Sequence, residues 1–527
     1  MRTRLGRVAM GPSGMAGPRL AVVAAGALIV ALLSGVAAPS PAPAAQEAQE
    51  APPSTYLVSG VETREQRSAI AGTGAAIDEV RAAAVVVRAL PGERDAIATL
   101  GYSVEPYKAP VPPPGAGETL FPPGDEAYHD YAETLAEVDA MVAAHPTTVR
   151  KFSIGSSYEG RNLVGVRISN DPIDTGSEPG VLFVALHHAR EHLTVEVALS
   201  LLRLFAESTD PTVRNLVDTR QIYLIPMLNP DGGEFDIASG SYVFWRKNRQ
   251  PNAGTSERGT DLNRNYGYRW GCCGGSSGNP ASETFRGAGP FSSPETNAIR
   301  QFVESKRNIR TSISYHSYGD LILYPYGYTF TDLPADMNPV DHNAFVAMAG
   351  QMATTTGYTP QQASDLYITD GDYVDWMYGA RHIYAFTFEL SGSGYGFYPP
   401  ASLIDEEIVK NRAAALYITQ IANCPTAAAG VGCTASSTTS AEPGDTITVS
   451  AGGAVPNAAY GLRMSGSFAT CANGLRLGGN VTADGAGNIP PTARIIPTNS
   501  TSGARYLCFV RQTDPSQLTT PTSLTVI

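Results

Sequence analysis

The sequence predicts an α/β chain built on an open sheet, preceded by a small α/β unit and followed by an all-β, sandwich-like one. Three observations carry this. Between residues 125 and 422, apolar runs of strand length alternate with stretches of helical periodicity. The apolar run at 181–186 breaks into His187, His188, Ala189, Arg190, Glu191 and His192, then resumes at helical spacing through Leu193, Val197, Leu201 and Phe205. Polar residues at the carboxyl end of a buried strand are where open α/β sheets place their chemistry. After Cys424 the composition turns to Gly, Ser, Thr and Ala, with short alternating runs such as 446–449, which read as sandwich strands.

From the amino terminus, Arg2, Arg4, Arg7 and Arg19 precede an apolar segment at 20–38, and small residues follow. That pattern predicts an export signal, with cleavage after 36–38 or 42–44; an uncleaved anchor is the alternative, since the segment is nearly long enough to span a membrane. Residues 1–44 are therefore signal and leader. Residues 45–108 hold strand-like runs at 56–58 and 84–87 and helix-like stretches beginning near Thr63 and Glu93. A compact unit tethered ahead of an exported chain reads as a propeptide, with a permanent accessory domain as the alternative. Residues 109–124 form a Pro-rich, extended linker. The main domain spans 125–423, opening on a helix at Tyr131–Ala144 and strands at 149–154 and 163–168. Residues 424–527 form the β-rich accessory domain.

The chain has 37 Lys and Arg against 49 Asp and Glu, a formal net charge of −12, and no basic stripe. Nucleic acid is thereby excluded as the main partner. Six cysteines in an exported chain predict disulfides, and none has zinc-site spacing. The expected pairs are Cys471 with Cys508, Cys424 with Cys433, and the adjacent Cys272 and Cys273.

Three His and one Glu within six residues suggest a divalent metal, best zinc, which binds imidazole nitrogen and carboxylate oxygen. Two parses stand side by side. In one, His188 and Glu191 both ligate, because i and i+3 share a face of a helical turn, and a third ligand comes from farther along. In the other, His188-x-x-Glu191-His192 is the H-x-x-E-H string of inverted zincins, with two His ligands and Glu191 as base. The bland alternative is a set of exposed polar residues capping a helix.

Residues downstream decide. Asn229-Pro230-Asp231-Gly232 reads as a tight turn after a buried strand at 222–228. Phe244-Trp245-Arg246-Lys247-Asn248-Arg249 places guanidinium groups beside an aromatic, and Asp261-Leu262-Asn263-Arg264-Asn265 adds another cation with amides. His316 follows a strand-like run at 309–314, Tyr367 lies in a polar loop, and Glu389 is one acid in an apolar strand at 386–390. Together and in this order these motifs resemble the zinc metallocarboxypeptidases of the carboxypeptidase A/B (M14) family over roughly 125–423. The runs YGYRWGCCGG at 266–275 and SETFRG at 282–287 are most similar to secreted, broad-specificity carboxypeptidases of actinomycete type.

The resemblance implies a mixed eight-stranded sheet with helices on both faces. It also implies one zinc ion per chain on His188, Glu191 and His316, with His192 standing where the family usually has Trp and packing at the rim. It casts Glu389 as general base and Arg246 as oxyanion stabiliser. Arg264 and Asn263 would bind the substrate's terminal carboxylate, Tyr367 would close over it, and Arg190 would position more distant residues. The family's pocket-floor position falls on Val374, which suits an apolar end. Asp372, and more weakly Asp370, could add acceptance of basic ends. The expected partners are peptide or protein C-termini, handled by a secreted, extracellular monomer with no stable membrane insertion after signal cleavage. An amidohydrolase or deacylase on the same fold, or a non-catalytic binding protein, are the competing functions. Retention of Arg264, Asn263 and Tyr367 argues against the first, and Glu389 with a full ligand set against the second.

Overall fold

The computed structural model describes residues 51–108 and 120–527, apart from short stretches at 171–173, 175–177, 307, 393, 437–439, 453, 455–456, 467–470, 485–488, 514–518 and 520–521. The expected signal and leader, and residues 109–119 of the expected linker, lie outside the described residues. No helix among the described residues is long and apolar enough to cross a membrane.

Residues 54–106 form a four-stranded sheet of β1 (Ser54–Ser59), β2 (Ala76–Arg81), β3 (Ala84–Ala89) and β4 (Ser103–Pro106), in the order β2-β3-β1-β4. Helices Arg64–Ala71 and Pro91–Thr99 pack on it through Ile70 and Ile97, against Val58, Val85 and Val87. The first helix starts where the sequence expects, because Thr63 and Gln66 satisfy each other's backbone N–H groups in a capping box.

The main sheet has eight strands: β5 (Val149–Ser156), β6 (Asn162–Ile168), β7 (Gly180–Val184), β8 (Gln221–Ile225), β9 (Ile309–Ser317), β10 (Leu321–Tyr324), β11 (Thr359–Gln362) and β12 (Tyr384–Leu390). Their order is β11-β10-β12-β9-β7-β8-β6-β5. The four central strands, β12, β9, β7 and β8, run parallel, with antiparallel pairings at β10–β12, β6–β8 and β5–β6. Side chains alternate between two cores. Val181 and Phe183 face the larger one, shared with helices Tyr131–Ala144, Leu193–Glu207, Pro339–Thr356 and Ile404–Ile421. Leu182 and Val184 face the other, shared with helices Pro294–Ser305 and Tyr373–Arg381. Each such side chain contributes about 1.5–3 kcal/mol on burial, which fixes the register and hence where each strand ends.

Two local expectations change. Asn229-Pro230-Asp231-Gly232 is not a free turn. Asn229 caps helix Pro230–Ile237, its Oδ1 accepting from Gly232 N at 3.1 Å with Pro230 at the first helical position. Strand β9 runs on to Ser317, so His316 is held within the strand rather than beyond it.

Beyond Cys424, strands β13 (Thr434–Ser436), β14 (Ser440–Ala441), β15 (Thr446–Ala451), β16 (Ala459–Ser465), β17 (Leu475–Thr482), β18 (Ile489–Ile495), β19 (Gly503–Arg511) and β20 (Thr522–Val526) form two sheets. Their orders are β13-β15-β18 and β14-β20-β19-β16-β17. They enclose one apolar core that includes Ile447, Val449, Leu462, Leu477, Phe509 and Leu524. All three expected disulfides are present, although Cys471 sits in a short 3-10 turn, Cys471–Asn473, rather than in a strand.

Candidate active site

The central parallel strands deliver their polar residues to one end of the sheet. Past β7 the chain turns at Leu186, whose φ of +56° is left-handed, and presents His188 and Glu191. His316 arrives from β9, and Glu389 lies beside it in the β12–β9 register. Glu191 bridges the two imidazoles, Oε1 at 2.7 Å from His188 Nδ1 and Oε2 at 3.0 Å from His316 Nδ1. The two Nδ1 atoms are 3.2 Å apart. Ligands around one tetrahedral zinc ion lie about 3.3 Å from each other at ordinary bond lengths.

The far side of each ring has a partner for its proton. Asp261 Oδ1 accepts from His188 Nε2 at 3.1 Å, which leaves Nδ1 as a lone pair. His316 Nε2 meets Ser314 Oγ at 2.9 Å; that hydroxyl also meets His187 Nδ1 at 3.0 Å, and His187 Nε2 meets Tyr266 Oη at 2.9 Å. With His316 Nε2 donating to Ser314 Oγ, Ser314 to His187 Nδ1 and His187 Nε2 to Tyr266 Oη, a lone pair is left on His316 Nδ1 as well. Burial pushes the pKa values of His187 and His316 below the usual histidine value, keeping both neutral. Two imidazole lone pairs and a carboxylate thus face one another, and only a cation satisfies all three. The residues fit zinc: His188, Glu191 and His316 bind it, and they form the group of potential ligands that converges among the described residues.

Asp261 ties this centre to the next residue. Its Oδ2 accepts from Arg246 Nε at 3.1 Å and Nη2 at 2.9 Å while Oδ1 holds His188. Burial alone would raise its pKa, but the Arg246 guanidinium and the hydrogen bond from His188 hold the Asp261 carboxyl well below the usual range. Glu389 goes the other way: burial, then the nearby Glu191 carboxylate, push it up to about 8.

At the other end of the cleft, Arg264 is held by Gly275 O on Nε at 2.9 Å and by Asn263 O on Nη1 at 2.7 Å. Asn263 Oδ1 accepts from Tyr373 N at 2.9 Å. Asp372 caps helix Tyr373–Arg381, accepting from Asp375 N at 2.8 Å and from Thr369 Oγ1 at 2.5 Å. Burial raises the Asp372 pKa. Asp375, whose carboxylate accepts from Gly327 N and Tyr328 N, is raised well above its ordinary value by burial and by Asp372. No cation pairs with either acid among the described residues.

Ten of the eleven residues expected from sequence line a single cleft of about 380 Å³, Val374 and Tyr367 among them; the eleventh, His316, places its Nδ1 3.2 Å from His188 Nδ1 and 3.0 Å from Glu191 Oε2. Two expectations are corrected. His192 is buried rather than at the rim: Nε2 is 3.0 Å from Asp236 Oδ2, and its ring lies edge-on to Phe121. Asp370 does not face the cleft; its carboxylate accepts from backbone N–H groups of Gly271, Cys273 and Gly275. Asp261 had no role assigned from sequence. Its signal was there, since it immediately precedes the Leu262–Arg264 turn and caps it through Asn263 N.

The amino-terminal unit reaches into the same cleft. Asp78 pairs with the fully buried Arg190 at 2.6 Å, and Arg190 lies over the Phe397 ring. Arg67 donates to the carbonyl oxygens of Leu366 and Asp365, and Ser68 Oγ accepts from Ile368 N, on both sides of Tyr367.

A family model for zinc carboxypeptidases (Peptidase_M14) matches residues 134–414. The chain is 38% identical over 417 residues to a zinc carboxypeptidase of Saccharothrix mutabilis subsp. capreolus, spanning 76% of this chain and 94% of that one. It is 35% identical over 283 residues to carboxypeptidase A2 of Mus musculus, spanning 53% and 66%. Among solved structures, carboxypeptidase A from Helicoverpa armigera shares the fold, with a TM-score of 0.58 at 22% identity over 72% of this chain and 98% of that one.

Proposed function

The chain belongs to the zinc carboxypeptidase family, and from that premise we propose that it is an exported, initially latent enzyme that removes both apolar and basic residues from peptide C-termini. Bound zinc supplies Lewis acidity and lowers the pKa of water towards about 7. Glu389 takes the proton of the attacking water and passes it to the leaving amine; its desolvated position favours such exchange. Arg246, fixed by Asp261, stabilises the oxyanion that develops on the scissile carbonyl. Arg264 binds the terminal carboxylate with Asn263, its planar fork suiting two oxygens. Tyr367 closes over the bound end, and Arg190 positions residues farther from it.

The observation that carries the exopeptidase reading is the placement of Arg264 in the same cleft as the His188, Glu191 and His316 centre. Breadth of specificity rests on Val374 beside a buried carboxylate pair, Asp372 and Asp375, that has no paired cation among the described residues. A basic substrate end supplies one. Export is supported by three disulfides. Latency is supported by Asp78 occupying Arg190.

The test uses protein clipped between Lys108 and Asp125, and N-blocked dipeptides ending in Phe or Arg, each as free acid and as amide. Free acids should be cleaved at least about 100-fold faster than amides, a difference of about 2.7 kcal/mol, and clipping should raise activity. Equal cleavage of acid and amide would instead support an amidohydrolase, and equal activity before and after clipping would remove latency from the account.

A further inference from the structure

Residues 271–276 make a tight turn that the reaction so far leaves without a role. Gly271 and Gly274 have φ of +63° and +80°, and the exposed Cys272 and Cys273 between them are joined by a disulfide. Left-handed residues in such a turn point successive N–H groups towards one spot, the arrangement that elsewhere cradles anions. Here an internal anion fills it. Asp370, fully buried, accepts from Gly271 N at 3.3 Å, Cys273 N at 3.1 Å and Gly275 N at 3.0 Å, and from Ser276 Oγ. The fit admits only glycine at 275, where a Cβ would lie 2.4 Å from Thr369 backbone atoms.

The same turn presents Gly275 O to Arg264 Nε at 2.9 Å. With Nη1 on Asn263 O, Nη2 is the guanidinium nitrogen without a hydrogen-bond partner among the described residues. The orientation of Arg264 is therefore set by Gly275 O, whose place is set by the N–H groups gathered on Asp370. Asp370 lies three residues from Tyr367, so one carboxylate joins the loop bearing Tyr367 to the turn that aims Arg264.

We infer that Asp370 is a positioning residue for C-terminal carboxylate recognition, acting through the 271–276 turn and its Cys272–Cys273 brace on Arg264. The inference rests on the assignment of Arg264 as the carboxylate-binding residue. It predicts that loosening the turn weakens substrate binding while leaving the zinc centre and the chemical step intact. In Asp370→Asn an amide NH₂ meets a set of N–H donors, a mismatch that costs roughly a hydrogen bond or two, equivalent to about a tenfold effect.

The experiment compares zinc-loaded wild type, Asp370→Asn, the double variant Cys272→Ser with Cys273→Ser, and Arg264→Ala. It reads KM and kcat on an N-blocked dipeptide with a free carboxylate, zinc content, and inhibition by acetohydroxamate, a zinc-binding probe that has no terminal carboxylate. Asp370→Asn should raise KM about tenfold, with kcat within about twofold and zinc content and hydroxamate inhibition unchanged. The cysteine variant should move KM in the same direction, and it keeps the inference testable if Asp370→Asn fails to fold. Arg264→Ala should raise KM more than either. Wild-type KM in Asp370→Asn and in the cysteine variant, beside a raised KM in Arg264→Ala, overturns the inference alone. Proportionate loss of kcat, zinc and hydroxamate affinity makes the residue merely structural and overturns it too. Unchanged KM in Arg264→Ala overturns the underlying assignment instead.

Discussion

At the zinc end of the cleft, His188, Glu191 and His316 hang from the ends of β7 and β9, strands buried on both faces and paired directly to each other. At the other end, Asp370, Asp372 and Val374 sit on a loop and the first turn of a helix, where Gly371 has a φ of +65°. That one left-handed residue sends the two neighbouring acids to opposite sides. Asp372 lines the cleft while Asp370 is spent on a turn about a hundred residues earlier in the chain. The difference teaches where sequence carries geometry. A side chain at the end of a buried strand inherits its position from core packing; a side chain on a loop takes its position from whichever distant segment the loop lies against.

The comparison predicts that damage at the zinc end is all-or-none and damage at the loop end is selective. His316→Ala should lose most of its zinc and at least about 10³-fold in kcat/KM. His192→Ala should keep its zinc, since its ring bonds Asp236 rather than the centre, and should instead lose about 1–3 kcal/mol of stability as the buried Asp236 carboxylate keeps only Trp245 N and Tyr398 Oη as partners. Metal analysis of the two proteins checks this, and the reverse pattern would restore the inverted-zincin parse.

Asp372→Asn sharpens the loop end. Asn remains a good helix cap, so the fold should hold while a buried cation loses its counter-charge. Cleavage of a substrate ending in Arg should fall roughly 100-fold, with the Phe substrate nearly unchanged. Equal loss on both substrates would leave a plain apolar pocket floored by Val374.

The smallest effect lies away from the cleft. His129 pairs with Glu137 at 3.2 Å and with Glu196 at 2.8 Å, joining the chain ahead of helix Tyr131–Ala144 to helix Leu193–Glu207. Hydrogen bonds to Glu137 and then Glu196 raise the His129 pKa to about 10. Its contribution is therefore complete below the unfolded histidine value near 6.5 and fades as pH rises through 10. For Glu137, burial raises the pKa but His129 and Arg203 outweigh it and bring it to about 2, so its share is complete above about 4.5 and fades as pH falls through 2. His129→Gln should lower Tm by a few degrees at pH 6 and by less at pH 10.5. A larger drop at pH 10.5 would contradict that sign.

Much of the site was legible because residue type and strand position agree there. Imidazoles and a carboxylate at the end of an apolar run point to a metal, and Glu389 stands out as an acid in an aromatic strand. The sequence could not say that His192 turns inward, because Asp236 and the ring of Phe121 come from remote segments. Nor could it separate Asp370 from Asp372, since both follow Tyr367 in one polar run and only the backbone at Gly371 divides them. Asp261 was overlooked because a buried second acid serves the zinc centre only through His188 and Arg246.

The central claim is that two facing imidazole lone pairs and Glu191 hold one cation. Anomalous scattering at the zinc edge, measured on crystals of the zinc-loaded protein, tests it most directly. One peak per chain should appear about 2.0–2.2 Å from Nδ1 of His188, Nδ1 of His316 and the Glu191 carboxylate. A peak beside His192 and Asp236, or none at the His188 centre, would contradict the account.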